Sequence, residues 1–393
     1  MVLSFLIYFS VFIISSIACH KYGVLDDRVY FVGYKHVSGL KLCVSSVDVK
    51  KILWMLMILI PPIFISTFRG LPVGTDNANY LSIYQYNKAY NLFDYLEIRG
   101  TYGHDYEIGY QQLLHLAYVL KGGYNLVKAL SAFLIIVFVW RGALYYHRKF
   151  EINSGLCMLF FYLLEFTYGL NGVRYAIALS IFFYAFQFVI ERKILKYSIC
   201  CFAMVLFHSS MIIAAGFYLI NFTGYKVLKK TLRYIMVAVI IIIVVLLRPI
   251  IEQLLPLISQ NFMRFRMYTV DTTAEYGVGL YFIFALFLPP FLRWGVLVSK
   301  KVEWQVVLIA ALTYVPFRFL GYFSQWLIRL SRMPEILFCV IYCGVINKSS
   351  DKLEKYFWTA YLLILTIGYY IINIINQNSG DAYPYVFDFT NYI

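Results

Sequence analysis

Arginines beside turns, with a histidine and carboxylates among them, are the residues of this sequence whose types and spacing could do chemistry. Arg69 and Asp76 lie in FRGLPVGTDNANY (68–80), where Gly70, Pro72 and Gly74 forbid a continued helix. Arg174 follows the tight turn YGLNGV (168–173) and falls in the first turn of the returning helix. There the positive end of the helix dipole also favours an anion, so turn and arginine together suit a diphosphate. His208 stands where two apolar stretches meet, just before Ser209 and Ser210. An imidazole there can act as a general base, because its ordinary pKa of roughly 6.5 is close to working pH. The run HDYEIGY (104–110) adds His104, Asp105 and Glu107. Arg329, Arg332 and Glu335 recur at i, i+3 and i+6, roughly on one helix face.

Each of these residues also has a structural reading. Arg174 could pair with Glu165 across the hairpin, Asp76 could be the hydrogen-bonding cap of its turn, and His208 could be a packing residue. Arg332 and Glu335 could form an internal ion pair that leaves Arg329 for a ligand. Such charges cost on the order of 3 kcal/mol each near a bilayer centre, so they face a cavity or one another.

The elements that must position these residues are membrane helices. Of 393 residues, 62% are hydrophobic and 14% charged, a balance that one soluble core cannot hide. Apolar segments recur at about 2–18, 52–67, 124–140, 154–170, 172–190, 196–208, 209–222, 234–248, 277–298, 304–320, 327–346 and 357–375. The fold class expected is therefore an all-α polytopic membrane protein with about 12 transmembrane helices, forming one membrane domain over residues 1–393. The pair 196–208 and 209–222 reads as two short spans meeting at His208 or one helix broken there. Segment 68–123 is an outer connection whose apolar residues at Tyr80, Ile83 and Tyr84, then Ile108, Leu113, Leu116 and Leu120, predict short amphipathic helices on the membrane surface. Residues 249–276 form a second outer loop.

Charge orients the chain. The loops on one side, with Arg293 and Lys196 at adjoining helix ends, hold 22 Lys and Arg against 8 Asp and Glu, and the other face holds 12 of each. The whole net charge of +14 thus sits on one side, which the positive-inside rule makes cytoplasmic and which puts both termini outside. Sixteen of the nineteen lysines are on the cytoplasmic side, yet nine of the fifteen arginines are outside or at outer helix ends. Topology does not ask for those arginines. A planar fork that grips phosphate or carboxylate in a bidentate manner explains the choice of Arg over Lys.

The seven cysteines show no metal-like spacing near histidine, which predicts neither a zinc site nor a disulfide framework. No P-loop, dinucleotide-binding turn or HExxH helix is present, so ATP-driven transport and dinucleotide chemistry lose support, and a nucleic-acid partner is not expected. Ser16-Ile17-Ala18-Cys19 has the form of a lipoprotein cleavage site, but no basic residue precedes it, and residues 2–18 read as a retained helix.

The stretches FRGLPVGTDNANY (68–80), YEIGY (106–110), YGLNGVRYAIA (168–178), FHSS (207–210) and AYPYVFDF (382–389) resemble, in order and spacing, the EpsG family. Its members are Wzy-type polymerases of bacterial O-antigen, capsule and exopolysaccharide. The resemblance implies a GT-C-like glycosyltransferase of the bacterial inner membrane that works without cofactor or metal. It would join oligosaccharide repeat units carried on undecaprenyl diphosphate at the periplasmic face, with a chain-length regulator as a further partner. Arg69, Asp76, Arg174 and His208 occupy the family's motif positions, whereas RLSRMPEI (329–336) matches only loosely. The implied scheme sets Arg174, Arg69, Arg329 and Arg332 on the diphosphate, with His208, Asp76 or Glu107 as the base. A ligase using the same lipid-linked glycan, or a flippase for it, are the alternatives.

Overall fold

The computed structural model describes residues 2–32, 46–99, 106–223, 279–320 and 325–390. His104, Asp105, the candidate span 234–248 and the second outer loop 249–276 lie outside the described residues. Within them the chain is helical apart from one antiparallel bridge, between Arg69 and Phe387. Two compact units emerge: Met1–Phe188 with Lys193–Ala215 and Thr366–Ile393, and Val189–Arg192 with Gly216–Leu365.

The first unit begins with α1 (Val2–Val32) and α2 (Ser46–Thr67), followed by three short helices, α3 (Asn77–Asn87), α4 (Leu92–Ile98) and α5 (Ile108–Val119). Helix α6 (Gly123–Phe150) leads to α7 (Ser154–Phe161), which continues through a π turn at Tyr162–Phe166 into α8 (Thr167–Asn171). Then come α9 (Val173–Ile190) and α10 (Ile194–Phe207), and a 3-10 helix over Ser209–Thr223 opens after His208.

Small side chains let the long helices approach. Ser15, Cys19 and Gly23 recur every fourth residue of α1, and this stripe meets α7: Ser154 Oγ donates to Cys19 O at 3.2 Å, and a Cβ on Gly23 would lie 2.9 Å from Ser154 Oγ. Inside a bilayer, where apolar burial between helices gains little, such close packing and interhelical hydrogen bonds hold helices together.

Helix α2 contains Pro61 and Pro62. Pro62 has no N–H for the carbonyl of Ile58, four residues back. Ser15 of α1 supplies the missing donor, its Oγ donating to Ile58 O at 2.9 Å. The second unit repeats the device. It contains α11 (Gly279–Lys300), α12 (Trp304–Leu312), α13 (Tyr314–Leu320), α14 (Gln325–Ile336), α15 (Phe338–Asn347) and most of α16 (Lys352–Tyr370). Pro290 of α11 frees the carbonyl of Leu286, and Tyr342 of α15 donates its hydroxyl to that oxygen at 2.8 Å. Each kink is thus stabilised by a side chain of another helix.

Among the described residues, six helical segments are long and apolar enough to cross a membrane, namely Val2–Asp26, Asp48–Thr67, Gly123–Phe150, Val173–Ile190, Ile328–Asn347 and Lys352–Asn376. Four further apolar helices are shorter, at Ile194–Phe207, Ser209–Asn221, Ala285–Ser299 and Trp304–Arg318. The chain is an all-helical, multi-pass membrane protein. Helix α1 runs to Val32 rather than stopping at residue 18, because hydropathy marks where the apolar layer ends and not where helical hydrogen bonding ends. Its extension carries Asp26, held by Lys51 of α2 at 2.8 Å and by Arg148 of α6 at 3.7 Å.

Segment 68–123 holds three short helices, α3, α4 and α5, among its described residues. In α5, however, the buried face is Tyr110, Gln111, Leu114 and Ala117, while Leu116 and Leu120 are exposed.

Candidate functional site

The loop after α2 is fixed by a seam to the segment after α16. Gly70 N donates to Val386 O at 2.8 Å and Asp388 N to Phe68 O at 2.9 Å, so the bridge at Arg69 and Phe387 is bonded on both sides. Farther along, Gly74 N donates to Asp381 O at 2.8 Å and Thr75 N to Gly380 O at 3.2 Å. Gly74 has φ +95°, and a Cβ there would press on the Leu170 carbonyl at 3.1 Å, so glycine is required on both counts. Asn77 Nδ2 then donates to Gly70 O at 3.0 Å, and Tyr124 of α6 donates its hydroxyl to Asn77 Oδ1 at 2.8 Å. Through Asp76 N, which donates to Asn171 Oδ1 at 2.8 Å, the loop is tied to the α8–α9 turn.

That turn is a single residue, Gly172, and it leaves Arg174 as the second residue of α9. The carboxylate partner of Arg174 is Glu107, 67 residues earlier in the chain. Glu107 caps α5 by position only: its side chain makes no capping bond and turns to Arg174 and to Ser209, whose N–H donates to Oε1 at 3.2 Å. Gly109 allows this, since a Cβ there would strike the Leu206 carbonyl of α10 at 2.7 Å. The arginine also lies between two phenol rings, 5.7 Å from the Tyr80 centroid and 5.2 Å from that of Tyr106. His208 completes the group. Its ring meets Tyr175 edge to face at 5.2 Å and its Nδ1 lies 2.8 Å from Ser210 Oγ.

Burial alone would push the Glu107 carboxyl up, but the Arg174 guanidinium, then His208 and the Ser209 amide, outweigh it and hold the carboxyl below its ordinary range. Glu107 is therefore an anion at neutral pH. Such a group anchors charge well and takes a proton poorly.

Close by in sequence, Leu170 and Val173 line a small, partly open cavity with Arg69, Lys128 and Ser131. Arg69 is 2% exposed and Lys128 3%. Arg69 Nη1 donates to Ser66 O at 2.5 Å, and Lys128 Nζ donates to Arg69 O at 3.2 Å. Arg69 Nε and Nη2 and Ser131 Oγ are buried and have no hydrogen-bond partner among the described residues.

Of the residues singled out from sequence, Glu107, Arg174 and His208 come together, and Arg69 and Asp76 belong to the loop bonded to the same hairpin. Asp76 is half-exposed, and its side chain makes no capping bond to α3. Arg329 and Arg332 lie in the second unit, where Arg332 pairs with the fully buried Glu335 at 3.6 Å. Sequence reasoning missed Lys128, Ser131 and Asn171. A signal for Lys128 existed: it is one of three lysines away from the basic side, and it sits inside an apolar run.

The EpsG family model matches residues 51–387, which takes in every one of these side chains. No curated protein and no solved structure matches the chain. With a family match over most of its length, and with the five resembling stretches gathered in one compact unit, this chain belongs to the EpsG family.

Proposed function

We propose that the protein is a polysaccharide polymerase that joins oligosaccharide repeat units carried on undecaprenyl diphosphate, at the periplasmic face of a bacterial inner membrane. The observation that carries this reading is the joining of an ionised Glu107–Arg174 pair and His208 to a loop whose Arg69 keeps buried, unpartnered donors. Family membership supports it.

In the reaction a hydroxyl oxygen of the acceptor unit forms a bond to the anomeric carbon of the donor glycan. The bond from that carbon to the diphosphate oxygen breaks, and its electron pair leaves with undecaprenyl diphosphate. His208 takes the hydroxyl proton at Nε2, with Nδ1–H donating to Ser210 Oγ to set the tautomer. Glu107 favours the imidazolium that results, since an anion beside a histidine stabilises its charged form. The charge of Arg174 is already matched by Glu107, so Arg69, with its Nε and Nη2 donors unpartnered, takes the charge that grows on the leaving diphosphate.

The test is purified protein with its cognate lipid-linked repeat unit, no nucleotide sugar and no added metal, the product run on a gel. A ladder spaced by one repeat unit is expected. Folded protein that makes no ladder, but moves the glycan to another acceptor or across a vesicle bilayer, would make it a ligase or a transporter instead.

A further inference from the structure

The cavity beside the α8–α9 turn gathers two buried cations; outside its lining, Asp388 is the acid whose charge reaches Lys128, and the Tyr124 ring lies 5.3 Å from Lys128 Nζ. Its lining includes Arg69, Lys128, Ser131 and Ser66, and no carboxylate. Two cations that are 2% and 3% exposed share it, and their hydrogen bonds within the protein go to carbonyl oxygens, at Ser66 and at Arg69 itself. Like charges buried side by side are costly unless anions balance them, and Asp388 is one charge against two. The donors left over are Arg69 Nε and Nη2 and Ser131 Oγ, all without partner among the described residues, together with the hydrogens of Lys128 Nζ not given to Arg69 O. The set offers donors from a planar fork, a point charge and a hydroxyl, which suits the oxygens of a phosphoryl group.

We infer that Arg69, Lys128 and Ser131 form an anion site that takes a phosphoryl group of a diphosphate, with Lys128 as an unforeseen ligand. It rests on the proposed function only for the source of that group, the headgroup of the lipid carrier. The Arg174–Glu107 pair is then not the diphosphate clamp, because its charge is already matched.

Purified protein in detergent is titrated calorimetrically with inorganic diphosphate and, separately, with farnesyl diphosphate, using wild type, Lys128→Gln, Lys128→Arg and Ser131→Ala. Gln keeps an N–H for Arg69 O but carries no charge, so a change in binding at unchanged melting temperature reports the charge and not the fold. Expected are saturable binding by wild type, affinity weaker by about tenfold or more in Lys128→Gln, a smaller loss in Ser131→Ala, and recovery in Lys128→Arg. Tighter binding of farnesyl diphosphate than of inorganic diphosphate assigns the site to a lipid headgroup, and equal binding assigns it to the free anion. Folded Lys128→Gln with wild-type affinity, or no saturable binding of either probe to wild type, overturns the inference. A repeat-unit ladder without diphosphate binding would remove the site and leave the polymerase, and diphosphate binding without a ladder would do the reverse.

Discussion

Asn171, the last residue of α8, accepts the amide hydrogen of Asp76 at 2.8 Å across 95 residues of chain. It joins the turn that carries Arg174 to the loop that carries Arg69. Replacing Asn171 with Ala removes the acceptor and leaves the Asp76 N–H without it, a cost of about 1 kcal/mol. A lower melting temperature and a weaker ladder are expected together. If both stayed at wild-type levels, the tie between hairpin and loop would have no part in the site.

Glu107 and Arg174 should behave as a coupled pair. Glu107→Gln and Arg174→Gln are each expected to cut polymer yield by roughly tenfold to a hundredfold, and the double variant to lose little more than either, since neighbouring charges are not additive. Losses that simply multiply would show that the two side chains act independently.

The same pair sets a pH dependence of stability. Because the folded carboxyl of Glu107 lies below its ordinary value of 4.5, the stability it contributes is complete above that value and is lost as pH falls through the lowered folded one. Melting temperatures of wild type and Glu107→Gln, compared from pH 7 down to pH 3.5, should differ most at neutral pH and converge on acidification. A gap that stays constant with pH would mean the carboxylate charge is not what stabilises the fold.

If His208 takes the proton, the rate must fall on the acid side as the imidazole becomes protonated. His208→Gln should lower the rate by roughly a hundredfold or more and abolish that acid limb. Ser210→Ala should shift the limb and keep it. An unchanged pH profile in His208→Gln would pass the role of base to Asp76.

The two proline kinks offer a test of the fold. Ser15→Ala strips the donor from Ile58 O and Tyr342→Phe strips it from Leu286 O. Each leaves a buried carbonyl without that bond, at a cost of about 1–3 kcal/mol, and each should lower the melting temperature. Ser10→Ala, on the exposed side of α1, is the control expected to change nothing.

Much of the site was legible because its residues sit in turns with strong local signals. Gly172 stops one helix and starts another, so the place of Arg174 in the first turn of α9 follows from the sequence. The break at His208 is equally local, with extended backbone between α10 and the 3-10 helix. The partner of Arg174 was not legible. Glu165 is near in sequence, but Glu107 reaches the arginine because the missing side chain at Gly109 lets α5 lie against α10, a matter of tertiary approach. Lys128 escaped notice for the opposite reason: one lysine in a long apolar run barely alters its hydropathy, and its meaning appears only when Arg69 is found beside it. Where apolar helices are short or interrupted by 3-10 and π turns, average hydropathy does not register the interruption, so the irregularities after Phe161 and His208 were not legible as such.

The seam between the Arg69 loop and the segment after α16 also fixes a moment in the life of the molecule. Tyr385, whose hydroxyl donates to Ile65 O at 2.7 Å, is made 320 residues after it. At roughly 5–20 residues per second, the ribosome needs tens of seconds to cover that interval. Until then the loop that carries Arg69 has no strand to lie against. The Arg69 loop therefore gains its final hydrogen bonds in one late step, once the far end of the seam has been synthesised.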